Sequence, residues 1–203
     1  LLDLDDKYSG NQKVAANVIA MDGTNWFSSF TIDKGSKEGI KKGMNVIAGS
    51  GLVGIVTDVG PNFAKVRSII DDSSNVSSMV LTTKDNFNVG GSLKSMNQDK
   101  VLPFTELRDE DDKVKVGDPV VTSYVSDQYQ EGILIGYIAS IEKNANNLTK
   151  SGTITPVVDF QHLREVLVIT TLKDTGEKEL SSQKASDTQT ETQDNTETQK
   201  SQE

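Results

Sequence analysis

The chain has 203 residues, of which 34% are hydrophobic, and a formal net charge of −9. That length suffices for one or two domains with a real core, while the acidic balance argues against nucleic acid or anionic lipid as the main partner. Cysteine is absent, which excludes disulfides, thiolate metal sites and cysteine nucleophiles.

Leu1, Leu2 and Leu4 precede a polar stretch ending at Gly10, and they read as the last turn of a longer helix. The chain opens on leucine rather than methionine, contains no membrane-length apolar run and no signal peptide, and so reads as a fragment of a longer protein. Val14 to Ala20 is the first strand candidate. The next segment alternates, with Trp26, Phe30 and Ile32 on one face and Ser29, Thr31 and Asp33 mostly on the other, so Trp26 is expected to anchor a core. Glycine-bracketed turns at 35–39 and around Gly43 lead into a strand at Val46. Further strands are expected at Val53–Val59, Ala64–Ile70, Val76–Thr82, Gly90–Leu93, Val101–Leu107, Val120–Tyr124, Ile133–Ile141, Thr153–Val158 and Val166–Leu172. No twelve-residue window shows a helical repeat, and many short strands at regular spacing indicate an all-β barrel or sandwich. Beyond Thr175, Thr, Gln, Ser, Glu and Asp dominate, and a segment so poor in apolar surface is expected to be disordered.

One phrase occurs twice. Lys42-Gly43-Met44-Asn45-Val46-Ile47 followed by Gly51-Leu52-Val53-Gly54-Ile55-Val56 is echoed by Val116-Gly117-Asp118-Pro119-Val120-Val121 and Gly132-Ile133-Leu134-Ile135-Gly136-Tyr137-Ile138. Both read as a strand, a loop and a second strand, a weak internal repeat of one β unit.

Several groups invite a chemical reading. Gly49-Ser50-Gly51-Leu52-Val53-Gly54 is a literal G-x-G-x-x-G, but β-branched strand follows it where a dinucleotide site requires a helix. Its glycines are better explained by turns and close packing. His162 is the sole histidine; it lies near the end of the folded part, in the wrong order for a protease-type triad, and reads as a surface or cap residue. Asp71-Asp72 and the run Asp109 to Asp112 lack calcium-loop spacing and read as solvated acidic loops. The triplets at Asn75 and Asn147 fit a glycosylation pattern that matters only on a eukaryotic secretory route. No catalytic, cofactor-binding or metal-ligating residue is therefore assigned, and a binding or scaffolding role is expected rather than an enzyme.

With these phrases in place, the chain resembles the bacterial rod-shape-determining MreC family. The matching segments are Phe30-Thr31-Ile32-Asp33-Lys34-Gly35-Ser36, Gly39 to Ile47, Gly51 to Val56, Val116 to Ser123 with Gly132 to Gly136, and Pro156 to Phe160 leading into Val166-Leu167-Val168-Ile169. Two departures stand out: Tyr124 where the family usually has Gly, and Gln130 where it usually has Pro. The resemblance implies a cytoplasmic end, a single membrane helix and a coiled coil that dimerises the protein. Outside the membrane it implies two small six-stranded β-barrels in a chymotrypsin-like arrangement without catalytic residues. It implies residence in the lateral wall elongation complex, with MreD, RodA, a class B penicillin-binding transpeptidase and, indirectly, MreB as partners. Residues 1–12 would then end the coiled coil, 13–174 form the double barrel, and 175–203 form the tail.

The barrels can be drawn in two ways. In one, residues 13–55 and 115–174 form the first barrel and 56–114 an inserted second; in the other, the barrels are consecutive and split near 97. The functional expectation is a non-enzymatic scaffold that positions or activates peptidoglycan synthases, with Tyr124 and Tyr129 as contact candidates. The alternatives are a degenerate serine hydrolase on a protease-like double barrel and a periplasmic adaptor of an export system.

Overall fold

A computed structural model describes residues 12–21, 28–109, 111–144 and 148–173. The N-terminal leucines, Trp26, Glu110, Asn147 and the segment from 174 onward lie outside the described residues, and with them the expected coiled-coil end, the Trp26 anchor and the acidic tail.

Among the described residues there are twelve strands and one short α-helix, and the strands close into two rings of six. The first ring takes β1 (Lys13–Met21), β2 (Ser29–Ile32), β3 (Asn45–Ala48), β4 (Gly51–Val59), β5 (Ala64–Ser68) and β12 (Glu165–Ile169). Around it the order is β4-β3-β12-β1-β2-β5, and β5 pairs back onto β4. The second ring takes β6 (Asn75–Val80), β7 (Asn86–Gly90), β8 (Leu102–Leu107), β9 (Pro119–Thr122), β10 (Leu134–Lys143) and β11 (Lys150–Pro156). Its order is β11-β8-β7-β6-β9-β10, closed by β10 on β11. Closure pairs the strand edges that an open sheet would leave to bind other chains.

Period-two alternation fills each ring. Phe30 and Ile32 on β2, Ala64 and Val66 on β5, and Val166 and Val168 on β12 are buried, while the residue between each pair is more exposed. In the second ring Phe87 packs on Phe104 with ring centroids 5.1 Å apart at 60°, an aromatic geometry worth about 1 kcal/mol beyond its buried area.

The two rings share one topology. Counted in chain order, the second ring runs first, second, third, sixth, fifth, fourth. The first ring runs the same way once β12 is counted as its first strand. Strand β12 thus stands in the first barrel where β6 stands in the second. The repeated phrase maps one copy to each barrel, as the β3–β4 and β9–β10 pairs. Gly43 and Gly117 open these pairs at φ +88° and +95°, a region that favours glycine. The Gly43 N–H donates to the Val56 carbonyl at 2.9 Å, and the Gly117 N–H donates to the Ile138 carbonyl at 2.8 Å. Later in each copy a glycine lets a neighbouring strand approach. A Cβ on Gly54 would lie 2.1 Å from the Arg67 carbonyl oxygen, and one on Gly136 would lie 2.2 Å from that of Thr155.

Pairing draws the barrel boundary differently from the sequence reading. Strands β9 to β11 belong to the second barrel, and only β12 returns to the first. Equal strand counts favour the inserted scheme on sequence, but local alternation carries no information on which distant strands pair. The strand expected at Gly90–Leu93 is also displaced: β7 ends at Gly90, where Phe87 and Val89 supply the inward positions. Gly91 is pressed on the Asp71 carbonyl, and Ser92 caps α1 (Leu93–Asp99) by accepting from the Ser95 N–H at 3.2 Å.

Two outcomes follow from this architecture. A chain ending at residue 163 loses β12 and leaves the edges of β1 and β3 unpaired. Hydrogen exchange should then show lost protection in β1 to β5 and retained protection in β6 to β11; uniform retention would contradict the ring assignment. Substituting Gly54→Ala should lower stability by about 2 kcal/mol or more, whereas Gly49→Ala, at φ +57° with open space around it, should cost about 1 kcal/mol. Denaturant midpoints in the reverse order would refute the packing role.

Candidate functional site

The barrels meet along β4 and β10, where Gly51 pairs with Leu134 in parallel. Gly51 has no room for a side chain, because a Cβ there would lie 2.5 Å from methyl carbons of Val157 and Val158. The G-x-G-x-x-G stretch is therefore a hairpin and a barrel contact, as its flanking strand already indicated. Met79, Val121 and Leu134 form a small apolar cluster of their own on the second barrel, beside this junction.

Above the junction the 123–131 loop of the second barrel is bound to the first. Asn45, 1% exposed, donates from Nδ2 to the Gln128 carbonyl at 3.0 Å, and its Oδ1 accepts from the Gln130 N–H at 2.7 Å. Gln130 Nε2 also donates to the Thr171 carbonyl at 2.7 Å. Proline could make neither of the two Gln130 bonds, so the departure at this position is used structurally. Thr122 and Ser123 brace the base of the loop. The Thr122 hydroxyl donates to the Gln130 carbonyl and accepts from the Ile133 N–H, and the Ser123 hydroxyl donates to Asn86 Oδ1.

The two tyrosines of this loop separate. Tyr124 is 56% exposed next to Val125 at 57%, so it remains a contact candidate. Tyr129 is 2% exposed and is a core residue of the seam. Burial pushes its hydroxyl up to about 12, and the nearby Arg67 charge, which acts the other way, does not offset it. The sequence alone could not separate them, since both are aromatic residues in one polar loop.

The sequence-selected polar groups serve the fold. His162 lies on an exposed turn at 160–162, its Nδ1 2.7 Å from Asp159 Oδ2. That contact holds the Asp159 carboxyl below the usual carboxylate range. Asp71 accepts from the Ser73 N–H at 2.9 Å, and Asp72 accepts from the Leu93 N–H at 2.9 Å at the start of α1. The run from Asp109 to Asp112 is not simply a solvated loop. Asp109 is buried, with its Oδ2 2.6 Å from Lys150 Nζ, and it accepts the N–H groups of Lys113 at 2.8 Å and Val114 at 3.1 Å. Asp112 also accepts from Lys150, and Lys143 joins at 3.0 Å. Among the described residues no group of three or more His, Asp or Glu is placed to hold a metal. Lys150 was invisible to sequence reasoning because its partners lie some forty positions away.

Burial alone would push Asp109 up, but the hydrogen bonds from Lys150, Lys113 and Val114 hold it below the usual range. Burial likewise opposes the Lys150 charge, and the bonds to Asp109 and Asp112 raise it above the ordinary lysine value. A carboxyl depressed in the fold adds stability above its unfolded value and loses it as pH falls; a raised lysine loses its share only at high pH. The pair should thus be silent near neutrality and weaken below about pH 4 and again above about pH 10. Lys150→Met, which strands a buried carboxylate, should cost about 3 kcal/mol at neutral pH, and adding Asp109→Asn, which removes the charge but keeps an oxygen to accept a backbone N–H, should recover part of it. Equal losses for the single and double variants in denaturant melts would refute the coupling.

Residues 18–170 match the family model described as "Rod shape-determining protein MreC, barrel core". The Cell shape-determining protein MreC of Listeria monocytogenes is 33% identical over 170 residues, covering 83% of this chain and 57% of that protein, so the chain spans a little over half of that relative's length. The solved Listeria MreC structure superposes with a TM-score of 0.71 at 31% identity, covering 86% of each chain. Two further structures share the fold. One is the major periplasmic domain of the cell shape-determining filament MreC, at TM-score 0.65 and 21% identity, covering 78% of this chain and 95% of that one. The other is a complex between a penicillin-binding protein and MreC from Helicobacter pylori, at TM-score 0.58 and 12% identity, covering 79% of this chain and all of that one. The matched span takes in both rings, the doubled glycine phrase and the returning strand β12, and on that evidence the chain belongs to the MreC family of rod and cell shape-determining proteins.

Proposed function

We propose that this chain is the extracytoplasmic part of a non-enzymatic scaffold of the cell-wall elongation machinery, and that it governs cell shape by holding a penicillin-binding transpeptidase in its active state. The observation that carries the reading is the Helicobacter pylori complex, in which a chain of this fold is bound to a penicillin-binding protein. The seam supports it. Where the two barrels meet, the space is occupied by Asn45, Tyr129 and the backbone of the 123–131 loop, and His162 lies on an exposed turn between β11 and β12. Such a body presents a rigid surface, and its effect on an enzyme comes from binding one conformation more tightly than another. A tenfold shift in the active fraction needs a difference of about 1.4 kcal/mol between the two states, which a few well-packed contacts provide. Tyr124 and Val125, adjacent and exposed on a braced loop, are suited to be such contacts.

The wider reading places a membrane helix and a dimerising coiled coil before Leu1, and MreD, RodA and, indirectly, MreB in the same complex. Among the described residues no helix is long and apolar enough to cross a membrane. The test is capture of the purified transpeptidase ectodomain on the immobilised chain. Wild type should retain it, and Tyr124→Ala should reduce retention several-fold with an unchanged melting temperature. Failure of the wild-type chain to capture any elongation-complex ectodomain would overturn the proposal.

A further inference from the structure

The outer face of β6, β7 and β8 carries a cleft of about 450 Å³, separate from the seam contacts of Asn45. Its floor is made by outward residues of adjacent strands, chiefly Asn86 and Asn88, with Glu106 and Arg108 along one wall and Val125 on another. Glu106 is held in an unusual backbone. It has φ +64° at the bulge where β8 shifts register against β11, between the Lys150 and Gly152 pairings. Glycine is the residue such a position favours, so retaining glutamate there works against local preference and fixes the carboxylate over the cleft. Asn88 Nδ2 donates to Glu106 Oε2 at 3.0 Å. Arg108 is exposed and makes no ion pair among the described residues.

The equivalent face of the first barrel offers a comparison. There Asn17, on β1, meets Asp33, just after β2, and Lys34 follows. That carboxylate is fully engaged: Oδ1 accepts from the Asn17 N–H at 2.8 Å, Oδ2 accepts from Asn17 Nδ2 at 2.8 Å, and Lys34 lies 3.9 Å away. In the second barrel the same trio of amide, carboxylate and cation is only partly spent. Glu106 accepts one hydrogen bond, and the Arg108 guanidinium donates none, among the described residues.

We propose that this cleft is a binding site for an acidic, N-acylated saccharide. The Asn88 amide and the Glu106 carboxylate, side by side, present a donor and acceptors in the arrangement that adjacent hydroxyls satisfy. Arg108 matches a carboxylate on the same sugar, the bidentate partner guanidinium favours. Val125, 57% exposed, offers an apolar contact for an acyl methyl. Peptides are usually held by an exposed strand edge or by side-chain pockets; the closed ring removes the edge, and this cleft sets the amides of Asn86 and Asn88 and the hydroxyl of Ser77 beside apolar contacts from Phe87 and Val125.

The probes are the disaccharide of N-acetylglucosamine and N-acetylmuramic acid, neutral chitobiose, and trialanine, each titrated into the whole chain and followed by amide chemical shifts. The acidic disaccharide is expected to move Asn86, Asn88 and Glu106 saturably and to bind more tightly than the other two. Arg108→Gln should weaken it at least tenfold while leaving chitobiose unchanged. Glu106→Gly should raise the melting temperature by relieving the backbone, yet weaken both sugars at least tenfold. The proposal is overturned if the acidic disaccharide gives no saturable shift at these residues, if trialanine binds as tightly, or if Glu106→Gly binds the sugars like wild type.

Discussion

The antiparallel pairing of β1 with β12, from Lys13 against Ile169 to Asn17 against Glu165, is the contact on which the rest depends. Without it the first ring is an open six-stranded sheet with free edges at β1 and β12. With it, residues about 150 positions apart must meet before that ring can close. Loop-closure entropy opposes so distant a contact, and the compensation comes from burying Val166, Val168 and Ile169 in an interior that β1 to β5 cannot fill alone. The second barrel has no such requirement, because its six strands follow one another. It can therefore form first and bring the two halves of the other barrel together, an order set by contact distance.

Both barrels use one glycine logic. A positive-φ glycine starts the repeated hairpin, and a second glycine removes the side chain that would collide with the adjacent strand. The divergence lies in what the copies do with their outer faces. Ser123 ties the base of its loop to Asn86 within the second barrel, the loop after it reaches the first, and Asn45 meets Gln128 and Gln130 there with both ends of its amide. Two hydrogen bonds from a buried amide to loop backbone fix the barrel-to-barrel register better than apolar packing does, because they are directional. Gln130, with its N–H and its side chain both engaged, belongs to that register.

The ion pair of Asp109 and Lys150 stabilises a different place, tying the β8–β9 connection to the first residue of β11. Its Coulomb attraction is balanced against desolvation, so its value lies less in net stability than in penalising any arrangement that separates the two charges. Together with the Asn45 latch it leaves the exposed loop at Tyr124 standing on a rigid base, and rigidity of that kind is what a surface acting by differential binding requires.

Alternation alone located nearly every strand, since period-two burial is written locally, and the G-x-G-x-x-G stretch was correctly read as strand from the β-branched residues after it. Composition and the position of His162 near the end of the folded part give no ground for assigning a metal site or a triad. What the sequence could not decide was everything carried by distance. Which strands close which ring, that Tyr129 is buried while Tyr124 is exposed, that Lys150 neutralises Asp109, and that Glu106 occupies a bulge are all consequences of pairing between remote segments. Local pattern specifies which side of a strand is apolar, but the partner that covers that side is selected only when the chain closes on itself. The residues by themselves therefore determined an all-β chain with a repeated β unit, their resemblance to the MreC family implied the double barrel, and the tertiary structure alone decided how the barrels interlock and which polar groups remain free to bind.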